Sequence, residues 1–237
     1  MIKTCIYSVL ICSASLLPFS CMANITLNGT RVIYKENDKE VTLKLSNNGK
    51  GPVLAQSWID KGDVTKSPEQ IQVPFTLLPP INRINAGKSQ TLRISYTASP
   101  ALPKDRESVY WLNVLEIPPV KKDTPANRLQ VAFRTRIKLF YRPTNIGDAD
   151  KATAAAEKLQ WSSTKEGLQA RNSSPFFVSL ASVTVDNGSS AEGKMVPPFG
   201  QVIFNDANSK KSHHNSHISY EYINDWGAVE SVKSNAN

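Results

Sequence analysis

Cysteine is missing from most of the chain. All three cysteines among the 237 residues, Cys5, Cys12 and Cys21, lie within the first 23 positions. If that segment is removed, the rest of the protein has neither disulfide bonds nor thiol chemistry. An exported domain without disulfides needs a sizeable hydrophobic core, and a chain of this length can build one. Thiol nucleophiles and thiolate metal sites are therefore excluded from the mature protein.

The same first 23 residues also lack a long hydrophobic run. Lys3 precedes an apolar stretch from Ile6 to Leu17, and the small residues Cys21 and Ala23 flank a cleavage site after Ala23. This pattern predicts a cleaved secretory signal peptide. A transmembrane anchor would need about 20 apolar residues, and a lipoprotein signal ending at Cys21 is the other alternative.

Charge of one sign is not concentrated anywhere. The formal net charge is +8, or +7 once Lys3 is removed with the signal peptide. The basic residues are scattered along the chain, and no nucleic-acid-binding module is present. We interpret the excess as a soluble surface rich in lysine and expect no nucleic-acid partner.

Catalytic and metal-binding motifs are also absent. The sequence contains no GxSxG elbow, phosphate loop, HExxH pair or calcium-binding loop. His213, His214 and His217 lie together, but their stretch is polar and carries no further obvious ligands, so we expect a solvated loop. We therefore expect neither an enzyme nor a bound metal or cofactor.

Helical periodicity is nearly absent, and short alternating segments recur instead, among them "EVTLKLSN", "VLAQSWID", "QTLRISYT", "SVYWLNVLEI" and "HISYEYIND". Such spacing predicts an all-β protein built of sandwiches. The helix candidate, Ala149–Lys158, could equally be a linker. We place one sandwich at 24–143, and a hinge with a second sandwich at 144–237. We expect the final "SVKSNAN" to fray.

The longest alternating stretch is "LQVAFRTRIKLFYRP", residues 129–143. Its odd positions are mostly apolar, whereas its even positions include Arg134, Arg136, Lys138 and Arg142. This period of two predicts a long strand. We interpret Arg134 and Arg136 as solvated charges. Lys138 and Arg31 either form an anion site or are ordinary surface cations, and the residue pattern alone leaves both open.

Seven stretches, taken together, carry a family resemblance. "LPKDRESVYWLNVLEIPP", "RTRIKLFYRP" and "SYEYINDWGA" are accompanied by the weaker "NGTRVIY", "LAQSWID", "LLPPINRINAG" and "RNSSPFFVSLASV". In this order, over residues 24–228, the chain resembles the PapD-like periplasmic pilus (fimbrial) chaperones of the chaperone–usher pathway. The resemblance implies two immunoglobulin-like β-sandwich domains arranged as an L with a cleft between them.

The resemblance also implies a function. Such a chaperone binds pilus subunits, both pilins and the tip adhesin, in the periplasm and delivers them to the outer-membrane usher. It fills the open groove of the subunit with its own strand, here residues 129–138. Leu129, Val131 and Phe133 match the donor side chains of the family. Arg31 and Lys138 match the cleft pair that holds the terminal carboxylate of the subunit.

Three further residues match a structural feature of the family. Glu107, Arg142 and Asp225 correspond to a salt-bridge network between the two domains, which would hold the cleft angle. The short segment "VKKDTPANR" before the donor strand resembles the short-loop subclass of these chaperones.

Some relatives carry a disulfide in the second domain, which this chain cannot form. We therefore expect the second domain to depend on packing by its large aromatic residues, Trp161, Phe176, Phe177 and Trp226.

Two other functions remain as alternatives. A structural pilus subunit or adhesin would usually carry a disulfide and a long N-terminal extension, and a carbohydrate-binding sandwich would need exposed aromatic residues beside a groove. The tryptophans fall within predicted strands, which disfavours the second alternative. Because an exposed apolar strand promotes aggregation, we expect the free chaperone to cover Leu129–Phe133 by self-association.

Overall fold

The computed structural model describes residues 24–119, 131–186, 188, 190–206, 209 and 212–236. The predicted signal peptide, residues 1–23, and the donor residue Leu129 lie outside the described residues. The described chain folds into two immunoglobulin-like β-sandwiches, so the predicted fold class is confirmed.

The first sandwich contains nine strands within residues 24–119 and 131–142. They are β1 (Ile25–Leu27), β2 (Arg31–Lys35), β3 (Val41–Asn47), β4 (Val53–Asp60), β5 (Phe75–Leu78), β6 (Ile81–Ile84), β7 (Ser89–Tyr96), β8 (Ser108–Ile117) and β9 (Phe133–Arg142). One sheet has the order β1-β3-β7-β5 and the other β2-β9-β8-β4-β6. A short 3-10 turn, Pro68–Gln70, interrupts the connection between β4 and β5.

Alternation of side chains explains how these sheets form a core. In β3, Leu43 and Leu45 are buried while Thr42 and Lys44 are exposed, as expected for a strand with one face against the opposite sheet. The segment "ANITLNGTRVIY", which reads as a single alternating run, is divided between the two sheets. β1 pairs antiparallel with β3, whereas β2 pairs parallel with β9.

In the part of the second half that the structure describes, a helix and eight strands follow the 3-10 turn Thr144–Ile146. They are α1 (Ala149–Glu157), β10 (Gln160–Thr164), β11 (Gly167–Arg171), β12 (Val178–Val185), β13 (Ala191–Glu192), β14 (Met195–Val196), β15 (Gln201–Phe204), β16 (His217–Ile223) and β17 (Val229–Asn235). One sheet has the order β10-β11-β15 and the other β13-β12-β16-β17, with β14 pairing to β12. The helix candidate is thus a helix, and its buried Ala156 accepts a hydrogen bond from the Tyr220 hydroxyl at 2.8 Å.

The described chain end, up to Ala236, is paired and packed, so the expectation that it frays is wrong for these residues. Val229–Asn235 forms the whole of β17, paired with β16. Ala236 is fully buried and forms a parallel bridge with Trp161, and its backbone amide donates to Ser216. A polar composition is typical of a loose end, but the ladder with β16 holds this strand and its half-buried Val232 packs against the second core.

The expected aromatic packing of the second domain also needs correction. Trp161 lies in the second core, as predicted, but Phe176 and Phe177 do not belong to that cluster. Trp226 is 74% exposed and lies in the turn between β16 and β17, outside any strand. Phe204 and Tyr220 take the place of these residues, with ring centroids 6.0 and 5.1 Å from the Trp161 ring.

Candidate functional site at the domain interface

β9 is paired differently along its two halves. On one edge it pairs with β8 from Phe133 to Tyr141. On its other edge it pairs with β2, but only from Lys138 to Arg142. Among the described residues, the second edge of Phe133–Ile137 therefore has no strand beside it. We call this five-residue segment the free half of β9.

The apolar side chains at the start of this half face solvent. Phe133 is 50% exposed and Val131, two residues earlier, is 51% exposed. Val131 precedes the described strand, whose first residue, Phe133, lies opposite Glu116 in the β8 ladder. The predicted donor residues that the structure describes are thus exposed, at the end of a strand with an open edge.

Arg31 and Lys138 lie opposite each other in the β2–β9 ladder, at the point where the free half begins. Each is held by the second sandwich. Arg31 donates from its guanidinium to the Ile223 carbonyl at 2.7 Å, and the Lys138 ammonium contacts the Ser179 hydroxyl at 3.1 Å. Within the described part of the chain, neither cation forms a salt bridge, and the Arg31 Nε is buried without a hydrogen-bond partner.

The electrostatics of this pair favour an incoming anion. Burial lowers the pKa of Arg31, although the charges of Asp225 and Glu107 oppose that shift. Burial also lowers the pKa of Lys138, and the neighbouring Arg31 charge lowers it further. Two like charges in a partly buried site repel each other, so a carboxylate placed between them would relieve both the repulsion and the loss of hydration.

Arg142 brings together the remaining two predicted site residues, Glu107 and Asp225. Its Nε donates to Glu107 at 2.7 Å, and its two terminal nitrogens donate to the Asp225 carboxylate at 2.6 and 2.9 Å. Glu107 also accepts from the Phe177 amide at 2.8 Å, and burial raises its pKa against the effect of Arg142. Because Asp225 and Phe177 belong to the second sandwich, this cluster links the two domains.

Phe140 is a residue of this interface that the sequence analysis missed. It lies on the same face of β9 as the cations, yet it is only 3% exposed. Its ring is 6.0 Å from that of Phe177, and the Arg31 guanidinium lies 5.8 Å above it. An apolar residue among four cations on one strand face was the available signal, because such a residue on an outer face indicates a covered surface.

Arg134 and Arg136 are not solvated charges, so that interpretation is wrong. Arg136 donates to one oxygen of Asp60 at 2.6 Å, and Arg134 approaches the other at 3.4 Å. Asp60 is only 1% exposed. Burial alone would raise its pKa, but hydrogen bonds from Arg136, Gly62 and Asn113 outweigh burial and hold the pKa below its ordinary value.

The three histidines lie on the surface of the second sandwich. All three are exposed, and His217 contacts Asn235 at 2.9 Å through its Nδ1. Among the described residues, no group of three or more His, Cys, Asp or Glu side chains is arranged to hold a metal ion. In the same residues, no helix is long and apolar enough to cross a membrane.

Each of the two domains matches a known protein family. Residues 24–147 match the N-terminal domain of the PapD pili and flagellar-assembly chaperones, and residues 154–234 match the PapD pili assembly chaperone C-terminal domain. The probable fimbrial chaperone YadV of Escherichia coli (strain K12) is 40% identical over 242 residues, which cover 97% of each chain.

Two solved structures extend the comparison. The Pseudomonas aeruginosa CupB2 chaperone is 38% identical with a TM-score of 0.75, over 90% of this chain and 100% of that one. The Salmonella enterica SafA pilin in complex with the SafB chaperone matches at 28% identity and a TM-score of 0.75, over 91% and 98% of the two chains. This chain therefore belongs to the PapD family of pilus-assembly chaperones.

Proposed function

We propose that this protein captures pilus subunits by donating its strand of residues 129–138 to the open groove of the subunit. A subunit strand would then pair along the free half of β9, with the terminal carboxylate of the subunit held by Arg31 and Lys138. The observation that carries the proposal is the position of two cations beside the free edge of β9. Arg31 and Lys138, which form no salt bridge among the described residues, lie where the pairing of β2 with β9 begins, and on the side toward Phe133 the edge of β9 is free.

The geometry also gives a direction for the bound strand. β2 runs parallel to β9 and begins at Arg31, opposite Lys138. A chain whose carboxyl end reached these cations would end where β2 begins, and its preceding residues would extend back along Ile137 to Phe133. It would therefore run parallel to β9 and continue the line of β2, with the ladder hydrogen bonds of a parallel pair.

Apolar side chains supply the second part of the interaction. Val131 and Phe133 are half exposed and would enter pockets of the subunit, together with the predicted donor Leu129. Full burial of each such side chain contributes about 1.5–3 kcal/mol before ordering costs. The carboxylate contacts would add about 1.5–3 kcal/mol for each hydrogen bond to a charged group. The anchor would fix register, because it determines which subunit residue meets Phe133.

In this proposal the interdomain cluster positions the anchor. Arg142 ties β9 to Asp225 of the second sandwich, and the same sandwich holds Arg31 through the Ile223 carbonyl. A change in domain orientation would therefore move Arg31 relative to Lys138. Glu107, Arg142 and Asp225 thus have a structural role, without direct contact with the subunit.

Several further features belong to the same proposal. We infer that residues 1–23 are a cleaved signal peptide and that the protein acts in the periplasm. We also infer that it passes its subunits, both pilins and the tip adhesin, to the outer-membrane usher. We also place it in the short-loop subclass, divide its domains at Pro143, and expect self-association of the free form. The SafB–SafA pilin complex and the family membership support subunits as partners.

Co-expression with neighbouring pilin genes tests the proposal. We expect a subunit to remain soluble and to co-purify with the wild-type chaperone. The double variant Arg31→Ala, Lys138→Ala should fold but lose capture, whereas Arg93→Ala, which removes an exposed cation from the opposite sheet, should retain it. Undiminished co-purification with the double variant would overturn the anchor assignment.

A further inference from the structure

The free half of β9 is attached to its own sheet by side chains as well as by the ladder. Arg134 and Arg136 leave its outer face and extend across β8 to β4, the next strand but one in the sheet. Arg134 donates to the Asn113 side-chain oxygen on β8 at 2.9 and 2.7 Å. Both arginines meet at Asp60, the last residue of β4. We call this set of contacts the arginine clamp.

Asp60 is built as the fixed end of this clamp. One carboxylate oxygen accepts from Arg136 at 2.6 Å and from the Gly62 amide at 2.6 Å. The other accepts from the Asn113 amide at 2.8 Å, with Arg134 at 3.4 Å. A buried carboxylate is costly unless it is paired and hydrogen-bonded, so these donors are the condition under which Asp60 stays charged inside the fold.

Two tryptophans cover the arginines. The guanidinium of Arg134 lies 4.9 Å from the Trp58 ring, and that of Arg136 lies 4.8 Å from the Trp111 ring. Stacking on an aromatic face restricts a long side chain and adds an attraction of its own. The arginine side chains are accordingly only 29% and 22% exposed. This arrangement is far more restrained than an ordinary surface ion pair.

The clamp lies along the free half of β9. Among the described residues, all five positions of Phe133–Ile137 have a neighbouring strand on one edge alone. Keeping a residue in one backbone conformation costs conformational entropy. A strand paired on one edge offsets this cost with fewer ladder hydrogen bonds than a strand paired on both edges, so it opens more easily. Both arginines of the clamp lie within this segment, on the face opposite Phe133, so they restrain the backbone without covering the apolar side chain or the open edge.

We propose that Arg134, Arg136 and Asp60 are positioning residues that keep the free half of β9 extended and ready for a subunit strand before any subunit is bound. The inference rests on the proposed function. A segment ordered in advance does not have to be ordered during capture, so the clamp should speed association. In the complex the subunit would hold the same backbone from the open edge, so the clamp should matter little for dissociation.

Amide hydrogen exchange on the free protein tests the clamp without any partner. In Arg134→Gln we expect exchange in residues 133–137 to accelerate about tenfold or more, the size expected for loss of one hydrogen bond to a charged group. Amides of the fully buried Leu43 and Leu92 on the opposite sheet should be unchanged. Arg93→Gln is the matched control, because Arg93 contacts Glu40 at 2.6 Å on that opposite sheet.

A second variant guards against a general loss of folding. Asp60→Asn keeps the shape of the side chain and removes the charge that both arginines meet. It should give the same local acceleration in residues 133–137 as Arg134→Gln. Unchanged exchange in this segment in both variants, or equal acceleration there and at Leu43 and Leu92, would overturn the proposal.

Capture kinetics separate this inference from the proposed function. With a refolding pilin as the probe, Arg134→Gln should slow complex formation about tenfold, and the dissociation rate should stay within about twofold of wild type. Faster dissociation with unchanged association would contradict a positioning role. If the wild-type protein captured no subunit at all, the proposed function would fail, whereas the exchange result on the free protein would still decide the clamp.

Discussion

The two halves of β9 have the same alternating sequence pattern but very different surroundings. In Lys138–Tyr141, strands lie on both edges, and Arg142 pairs with β2. Four of the five residues from Lys138 to Arg142 are buried because the first core covers one face and the second sandwich covers the other. In Phe133–Ile137, one edge is open and only Ile137 is buried. One strand thus serves as a structural element along one half and presents a binding edge along the other.

Substitutions in the two halves of β9 should therefore have different effects. A substitution in the second half should mainly change the free energy of unfolding, because its side chains contact both domains. A substitution at the exposed face of the free half should mainly change subunit capture. The boundary between the two regimes falls at Lys138, which is both the first residue paired with β2 and one of the two proposed anchor cations.

The largest effect on stability is expected at Arg142. Arg142→Ala removes the partner of two carboxylates and leaves Glu107, which is 3% exposed, as an uncompensated buried charge. Breaking a buried pair in this way costs about 3–5 kcal/mol. Urea denaturation should show this loss, and Arg93→Ala is the exposed-arginine control. A loss below about 1 kcal/mol, the range of surface pairs, would contradict the described cluster.

A matched pair of truncations sharpens the comparison between the halves. Leu139 is fully buried, so Leu139→Ala should lower the free energy of unfolding by about 2–5 kcal/mol. Phe133 is 50% exposed, so Phe133→Ser should change it by no more than about 0.5 kcal/mol while reducing subunit capture. Denaturant titration of both variants checks this. Equal losses would mean that the two halves are equally embedded in the fold.

The contribution of Asp60 to the free energy of unfolding should be smaller and should depend on pH. Its pKa is lowered in the folded protein, so the charged carboxylate stabilises the fold above the unfolded pKa of about 3.9. That contribution is lost as the pH falls through the lower folded value. Asp60→Asn should therefore cost about 1–3 kcal/mol at neutral pH, and the difference from wild type should shrink below about pH 4. A difference independent of pH would contradict a charged Asp60.

Much of this architecture was predictable from the sequence because it depends on local pattern. Period-two alternation predicts strands, and the exposure of Phe133 agrees with its place in the alternating run. The resemblance over both domains supplied residues that local pattern could not connect. Arg142 and Asp225 are 83 positions apart, and periodicity carries no information about which distant strands meet.

The errors also have a common physical cause. Alternation says that two faces differ, but it does not say which neighbouring element covers a face. The sequence pattern around Phe140, Arg134 and Arg136 does not indicate that they are covered, because their partners, Phe177 and Asp60, come from the other domain or from a distant strand. Trp226 shows the converse, since its apolar character suggested packing, whereas the turn between β16 and β17 leaves it exposed.

Amide hydrogen exchange on the complex tests the central claim most directly. When a pilin is bound, we expect protection to increase in residues 133–137, whose open edge would gain a parallel strand, while residues 138–142, already paired with β2, should change little. Such a step in protection at Lys138 is the result that the account predicts. New protection confined to another exposed edge, such as β17, with no change in residues 133–137, would contradict it.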